Sequence, residues 1–153
     1  MNKAGYNTLV EAEYDEASKV SKVTKEGKYG KFTAYARVHP EDYDVANYWD
    51  GLTIAEAKVD TMVQQEKAKV FRNRLEGAEM VLDYLDMCGV PQNDEVYKRV
   101  ARKIAIMTWE YNAEYRKFKR MSEDGLDQLV EFLHMERKEF EELVKKNKEK
   151  MEE

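Results

Sequence analysis

The chain has 153 residues and a mass of 18.0 kDa, the size of one domain and long enough to bury a core without staples. A net charge of −5 excludes a protein that coats nucleic acid through bulk charge, and two prolines and seven glycines exclude a collagen-like or turn-rich β-sandwich chain. One cysteine, Cys88, excludes an intrachain disulfide and fits a reducing compartment. No apolar run approaches the ~18 residues of a membrane span, and Met1–Tyr6 lack the apolar core of a secretory signal. The expected localisation is cytoplasmic, which for any viral chain would mean the host cytosol.

Two or three strands are expected in the first forty residues. Thr8 to Tyr14, with Leu9 and Val10, is one candidate, and Ala17 to Thr24, with Val20 and Val23, is another. From Lys31 to Val38 the alternation is clear: Phe32, Ala34, Ala36 and Val38 fall on one side, and Lys31, Thr33, Tyr35 and Arg37 on the other. A period of two marks a half-buried strand. Glu26-Gly27 and Gly30 supply the turn of an antiparallel hairpin. Two strands alone are marginal in water, so this sheet must pack on the helices downstream. His39-Pro40 ends the last strand, and residues 41–51 read as an acidic, aromatic connection.

Helical spacing then takes over. Thr53-Ile54-Ala55-Glu56 reads as a capping box with Leu52 as its hydrophobic staple. The first helix is expected to run to Met87, with Ala55, Val59, Met62, Val63, Val70, Phe71, Ala78, Val81, Leu82 and Leu85 at apolar positions. Gly77 is its weak point, and Gly89 and Pro91 its stop. Asn93 or Asp94 caps a second helix reaching to about Met121. Its seam reads Tyr97, Ala101, Ile104, Thr108, Tyr111, Tyr115 and Phe118, a seven-residue repeat suited to bundle packing. Ser122-Glu123-Asp124-Gly125 reads as a break. A third helix carries Leu126, Leu129, Val130, Leu133, Phe140, Leu143 and Val144. The short link from Cys88 to Gln92 makes the first two helices antiparallel neighbours. The expected fold is α+β: a small antiparallel sheet of two or three strands, then three long helices packed as a bundle. It forms a single domain, with a β-rich part at 1–51, a helical part at 52–146 and a frayed tail at 147–153.

Chemistry is sparse. There is no glycine-rich phosphate loop, no zinc pattern and no nucleophile elbow. Glu131 and His134 form one Glu-x-x-His, but a di-metal bundle site needs a second on a facing helix. His39 beside Asp42 or Asp44 could serve as a general base, but a His-Pro at a strand end more often simply terminates the strand. The carboxylates Glu41, Asp42, Asp44 and Asp50 lack the glycine and spacing of a calcium loop. All-α pyrophosphatases hold magnesium with carboxylates on paired helices; here Glu136, Glu139, Glu141 and Glu142 face only Glu110 and Glu114 on the second helix, and a solvated surface explains them better. Cys88, before a helix-ending glycine, reads as a buried or incidental thiol. No catalytic residue, metal or cofactor is expected; a metal-dependent hydrolase using Glu131 and His134 is the third functional alternative.

Charge and aromatic placement say more. Residues 97–120 hold eight basic and two acidic residues, while the segments on either side are net acidic. The basic set is Lys98, Arg99, Arg102, Lys103, Arg116, Lys117, Lys119 and Arg120. Either the acidic neighbours neutralise it within the fold, or it binds phosphates with Trp109 nearby for stacking; the acidic flanks favour neutralisation. Ten tyrosines and two tryptophans exceed the needs of a small core. Tyr43, Asp44, Tyr48, Trp49 and Asp50 have the composition of a protein–protein hot spot and are the expected partner contacts.

The run Gly30-Lys-Phe-Thr-Ala-Tyr-Ala-Arg-Val-His-Pro-Glu-Asp-Tyr-Asp, followed by Trp49-Asp-Gly51 and Ile54-Ala55-Glu56, resembles small uncharacterised proteins of phages and mobile elements of Gram-positive bacteria. The resemblance covers about residues 30–60. It implies an accessory factor or inhibitor of host defence and assigns no catalytic residue. The leading expectation is therefore a non-enzymatic protein-binding inhibitor, of anti-CRISPR-like character, aimed at a host defence nuclease or other nucleic-acid-handling enzyme or nucleoprotein complex. Nucleic-acid binding through the basic helix is the alternative, and a homodimer through the third helix is a further expectation.

Overall fold

The computed structural model describes residues 7–37 and 48–152, with the backbone alone at 48, 49, 124, 134–138, 140, 141, 143, 144 and 152. The fold is α+β, with an N-terminal antiparallel sheet followed by three helices. The strands are β1 (Thr8–Asp15), β2 (Val20–Gly27) and β3 (Gly30–Arg37), in the order β1-β2-β3. The helices are α1 (Tyr48–Met87), α2 (Glu95–Lys119) and α3 (Leu126–Glu152).

The alternation read from β3 sets the sheet's inner face. Ala34 and Ala36 are buried and pair in register with Val23 and Ser21 of β2, while Tyr35 is exposed. Gly27 pairs with Gly30 across the two-residue turn Lys28-Tyr29, and Gly30, which closes the turn, takes a φ of 128° that favours glycine. Across the same pair of strands, Thr24 and Thr33 join hydroxyls at 2.7 Å. β1 carries a bulge at Val10, which shifts its register between Leu9 and Glu11 and leaves both Leu9 and Val10 exposed on the edge.

The inner face packs on the first half of α1, where Val23, Ala34 and Ala36 meet Ala55, Val59 and Val63. Phe32, Tyr29, Leu52 and Ile54 close the margin of this core. Lys25 reaches from the sheet to Glu56 and Asp60 on α1, at 2.9 Å to each. Partial burial disfavours its charge, yet the two carboxylates outweigh that and hold the ammonium above its ordinary value. The Lys58 ammonium donates to the Tyr35 carbonyl, tying α1 to the edge of β3.

The first turns of α1 correct one expectation. The helix starts at Tyr48, so Thr53 lies inside it and is not the cap. Gly51 is buried against β2, where an added Cβ would meet the Ser21 side chain. This missing side chain lets the helix come down onto the sheet before the apparent capping box is reached.

α1 ends as expected. Val90 donates to the Leu85 carbonyl and Gly89 to that of Asp86, both at 3.0 Å, with Gly89 at φ 75°: a Schellman stop. Asp94 caps α2 by accepting from the Val96 amide. α2 runs back along α1 with Tyr97, Ala101, Ile104, Thr108, Tyr111 and Phe118 of the predicted seam half-buried and Tyr115 exposed, and no α2 residue is fully buried, because α1 is its only helical neighbour among the described residues. Tyr111 and Tyr115 stack within the seam at 5.9 Å between ring centres. Gln64, buried on α1, donates to both the backbone and the carboxylate of Glu114, and Lys67 joins that carboxylate at 3.2 Å. These bonds fix the register of the two helices.

Two further expectations are corrected. Ser122–Gly125 does not break the chain: Arg120–Gly125 is a π-helical turn that joins α2 directly to α3. An added Cβ at Gly125 would sit 2.8 Å from the Arg120 carbonyl oxygen, so glycine is what admits the wide turn. α3 is helical as far as Glu152. α3 packs on α1 and not on α2, so the expected bundle is an α1–α2 hairpin whose second arm is prolonged by α3.

Candidate functional site

Helix length decides which surfaces remain bare. Forty residues make α1 about 60 Å long, whereas strands of eight residues reach about 27 Å. The sheet therefore covers less than half of α1. At 100° per residue, the stripe that meets the sheet (Leu52, Ala55, Val59, Val63) continues along the same side as Val70, Gly77, Val81 and Tyr84, interrupted by Glu66 and Asn73. Beyond the sheet this side has no cover among the described residues: Val81 and Tyr84 are exposed, and so are Met80 and Met87 beside them.

Next to this bare stripe runs an apolar groove of about 400 Å³ between the two arms of the hairpin. Gly77, Ala78 and Val81 line it from α1, and Val100 and Met107 from α2. Its rim is basic, with Arg74 on one side and Lys103 on the other. Arg74 is steadied over the Phe71 ring at 5.5 Å. Nothing lies within 4 Å of where a Gly77 side chain would begin, so the groove is open there. At the tip of the hairpin, burial and the neighbouring Asp86 carboxylate hold the Tyr97 phenol above its usual value.

The residues singled out from the sequence fare unevenly. Tyr43 and Asp44 lie outside the described residues, as do His39, Glu41 and Asp42. Tyr48 and Trp49 open α1, with only their backbone described, and Asp50 follows in its first turn. Glu131 is exposed on α3, and the His134 side chain is not described. Among the described residues no group of three metal-ligating side chains forms. Glu114, one of the carboxylates weighed for magnesium, is occupied by Lys67 and Gln64. Burial alone would raise its pKa, but these partners outweigh that and hold it below the ordinary carboxylate range. Cys88 is exposed at the hairpin tip.

The basic helix is open. Lys98, Arg99, Arg102, Lys103, Arg116, Lys117, Lys119 and Arg120 are all exposed, and the one ion pair among them within the described residues is Lys119 with Glu123, at 3.5 Å. The acidic neighbours favoured as its neutralising partners do not supply that role among the described residues: Glu114 faces α1, and α3 does not pack on α2.

Sequence reasoning missed the groove. Its signal was present as a mismatch of lengths, since an apolar stripe of 40 residues cannot be covered by strands of eight. No family model, curated protein or solved structure matches the chain. No helix among the described residues is long and apolar enough to cross a membrane.

Proposed function

We propose that the protein acts by binding another protein and performs no chemistry of its own. The observation that supports this is one side of the C-terminal half of α1: an apolar stripe, with the groove beside it, that no described residue covers because the sheet is too short to reach it. The occupant is an amphipathic helix of the partner, apolar toward Val81 and Met107 and acidic toward the Arg74 and Lys103 rim. The partner class is the one implied by the resemblance at residues 30–60, a host defence nuclease or another nucleic-acid-handling enzyme, which the bound protein would occlude. Tyr43, Asp44, Tyr48, Trp49 and Asp50 belong to this reading as a second contact, since Asp50 stands at the opposite end of α1 from the groove.

The test uses the full chain and a Val81→Glu/Met107→Glu variant whose circular dichroism matches wild type. Capture of a discrete host protein by the wild type, rebuilt as a stoichiometric complex from purified components and lost in the variant, supports the reading. Equal capture by both removes the groove. A wild type that is dimeric by light scattering and a variant that is monomeric would show that a second copy covers the stripe, against a separate partner.

A further inference from the structure

A second surface stands apart from the groove. The seam of α2 turns Tyr97, Ala101, Ile104 and Thr108 toward α1. About 110° round the helix from that seam, Lys98, Arg102, Trp109 and Arg116 fall within about 40° of one another around the helix axis. Trp109 is 73% exposed and sits midway along this line, with cations toward both ends of the helix. An exposed indole flanked by guanidinium groups offers a flat face on which an unpaired base can stack between phosphate-binding cations.

No carboxylate answers these cations among the described residues. Between Val96 and Trp109 the helix holds no acidic residue. Glu114 is turned to Lys67 and Gln64 on α1, and α3 does not reach α2. The charge is therefore available to a partner, although the whole chain is acidic.

We infer that the outward face of α2 is a binding site for single-stranded nucleic acid. Arg102 and Arg116 bind phosphates on either side, and Trp109 stacks on an unpaired base between them. The outward face of a helix is convex, which suits a flexible chain laid along it. Duplex bases keep their faces stacked on each other and offer the indole nothing. This inference is independent of the groove, which opens on another side of the helix and uses Val100 and Met107.

The experiment is fluorescence anisotropy of a labelled 20-nucleotide oligo(dT), an oligo(U) of the same length and a 20-base-pair duplex, titrated with the full chain. Single strands should bind at 50 mM salt. Engagement of the three cations of this face gives a slope of log K against log salt near −2, to order of magnitude. Arg102→Glu/Arg116→Glu should weaken binding about tenfold or more. Trp109→Ala should weaken it about fivefold, and Trp109→Phe should restore most of the loss. Lys28→Glu/Lys69→Glu makes the same change of net charge away from this face and should leave affinity within about twofold, because α2 and not net charge sets the contact. Circular dichroism checks that each variant is folded. The inference is overturned by absence of single-strand binding at 50 mM salt, by equal loss in the control variant, or by tighter duplex binding that Trp109→Ala leaves unchanged.

Discussion

Substituting Gly51 by Ala tests the contact that seats α1 on the sheet. The new Cβ would lie 3.2 Å from the Ser21 Cβ and closer still to its hydroxyl oxygen. Carbon atoms pack best at about 3.5–4.0 Å, so helix and strand must separate by a few tenths of an ångström. Rotating the Ser21 hydroxyl relieves only part of this, because the Cβ is fixed by the strand. Overpacking of this kind costs about 1–3 kcal/mol, and the better helix propensity of Ala returns at most about 1 kcal/mol. The expected net loss is about 1–2 kcal/mol, read as a lower midpoint in urea by circular dichroism at 222 nm. Ser21→Gly removes the opposing Cβ, together with a buried hydroxyl that has no hydrogen-bond partner among the described residues. In that background Gly51→Ala should cost almost nothing, a coupling of about 1 kcal/mol or more between the two positions. Equal cost in both backgrounds would refute the close approach as the reason for glycine.

Other predictions follow from single contacts. Gly89→Ala should lower stability by about 1–2 kcal/mol through its positive φ alone, since an added Cβ there meets nothing within 4 Å; an unchanged urea midpoint would contradict the Schellman stop. Gly125→Ala should cost about 1–3 kcal/mol as its Cβ meets the Arg120 carbonyl, with faster amide exchange through 120–126, and unchanged exchange would contradict a glycine-dependent π turn. Glu114 has its pKa lowered in the fold, so its contribution is fully present above the unfolded value of 4.5 and is lost as pH falls through the lower folded value. Stability should therefore drop on acidification in the wild type, and Glu114→Gln should flatten that drop while costing about 1 kcal/mol at pH 7; parallel pH profiles would contradict the Gln64–Glu114–Lys67 link.

The sheet was legible because its physics is local. The alternation at Phe32, Ala34 and Ala36, and the glycines at 27 and 30, state the inner face and the turn without reference to the rest of the chain. The stop of α1 at Gly89 and the cap at Asp94 are local in the same way. The start of α1 was not legible. Thr53 and Glu56 spell a cap, but the contact of Gly51 with β2 is tertiary and extends the helix back to Tyr48. Ser122–Gly125 has the composition of a break, and whether such a stretch ends a helix or widens one turn depends on a backbone geometry that composition does not encode. The seam of α2 was read correctly at Tyr97, Ala101, Ile104 and Thr108, yet its depth was overestimated, because a spacing pattern does not say how many helices will cover it. For the same reason the openness of Lys98, Arg102 and Arg116 could be posed from the sequence and answered only by the packing of α3.

The central claim, that the bare stripe of α1 is where a partner docks, is tested most directly by photo-crosslinking. A photoreactive residue is placed at position 81, and in a separate chain at the exposed position 28, and both are irradiated in the cells in which the protein acts. The account predicts one adduct from position 81 whose added mass differs from that of this chain, and none from position 28. Absence of an adduct at 81, or an adduct of twice the chain's own mass, would contradict it.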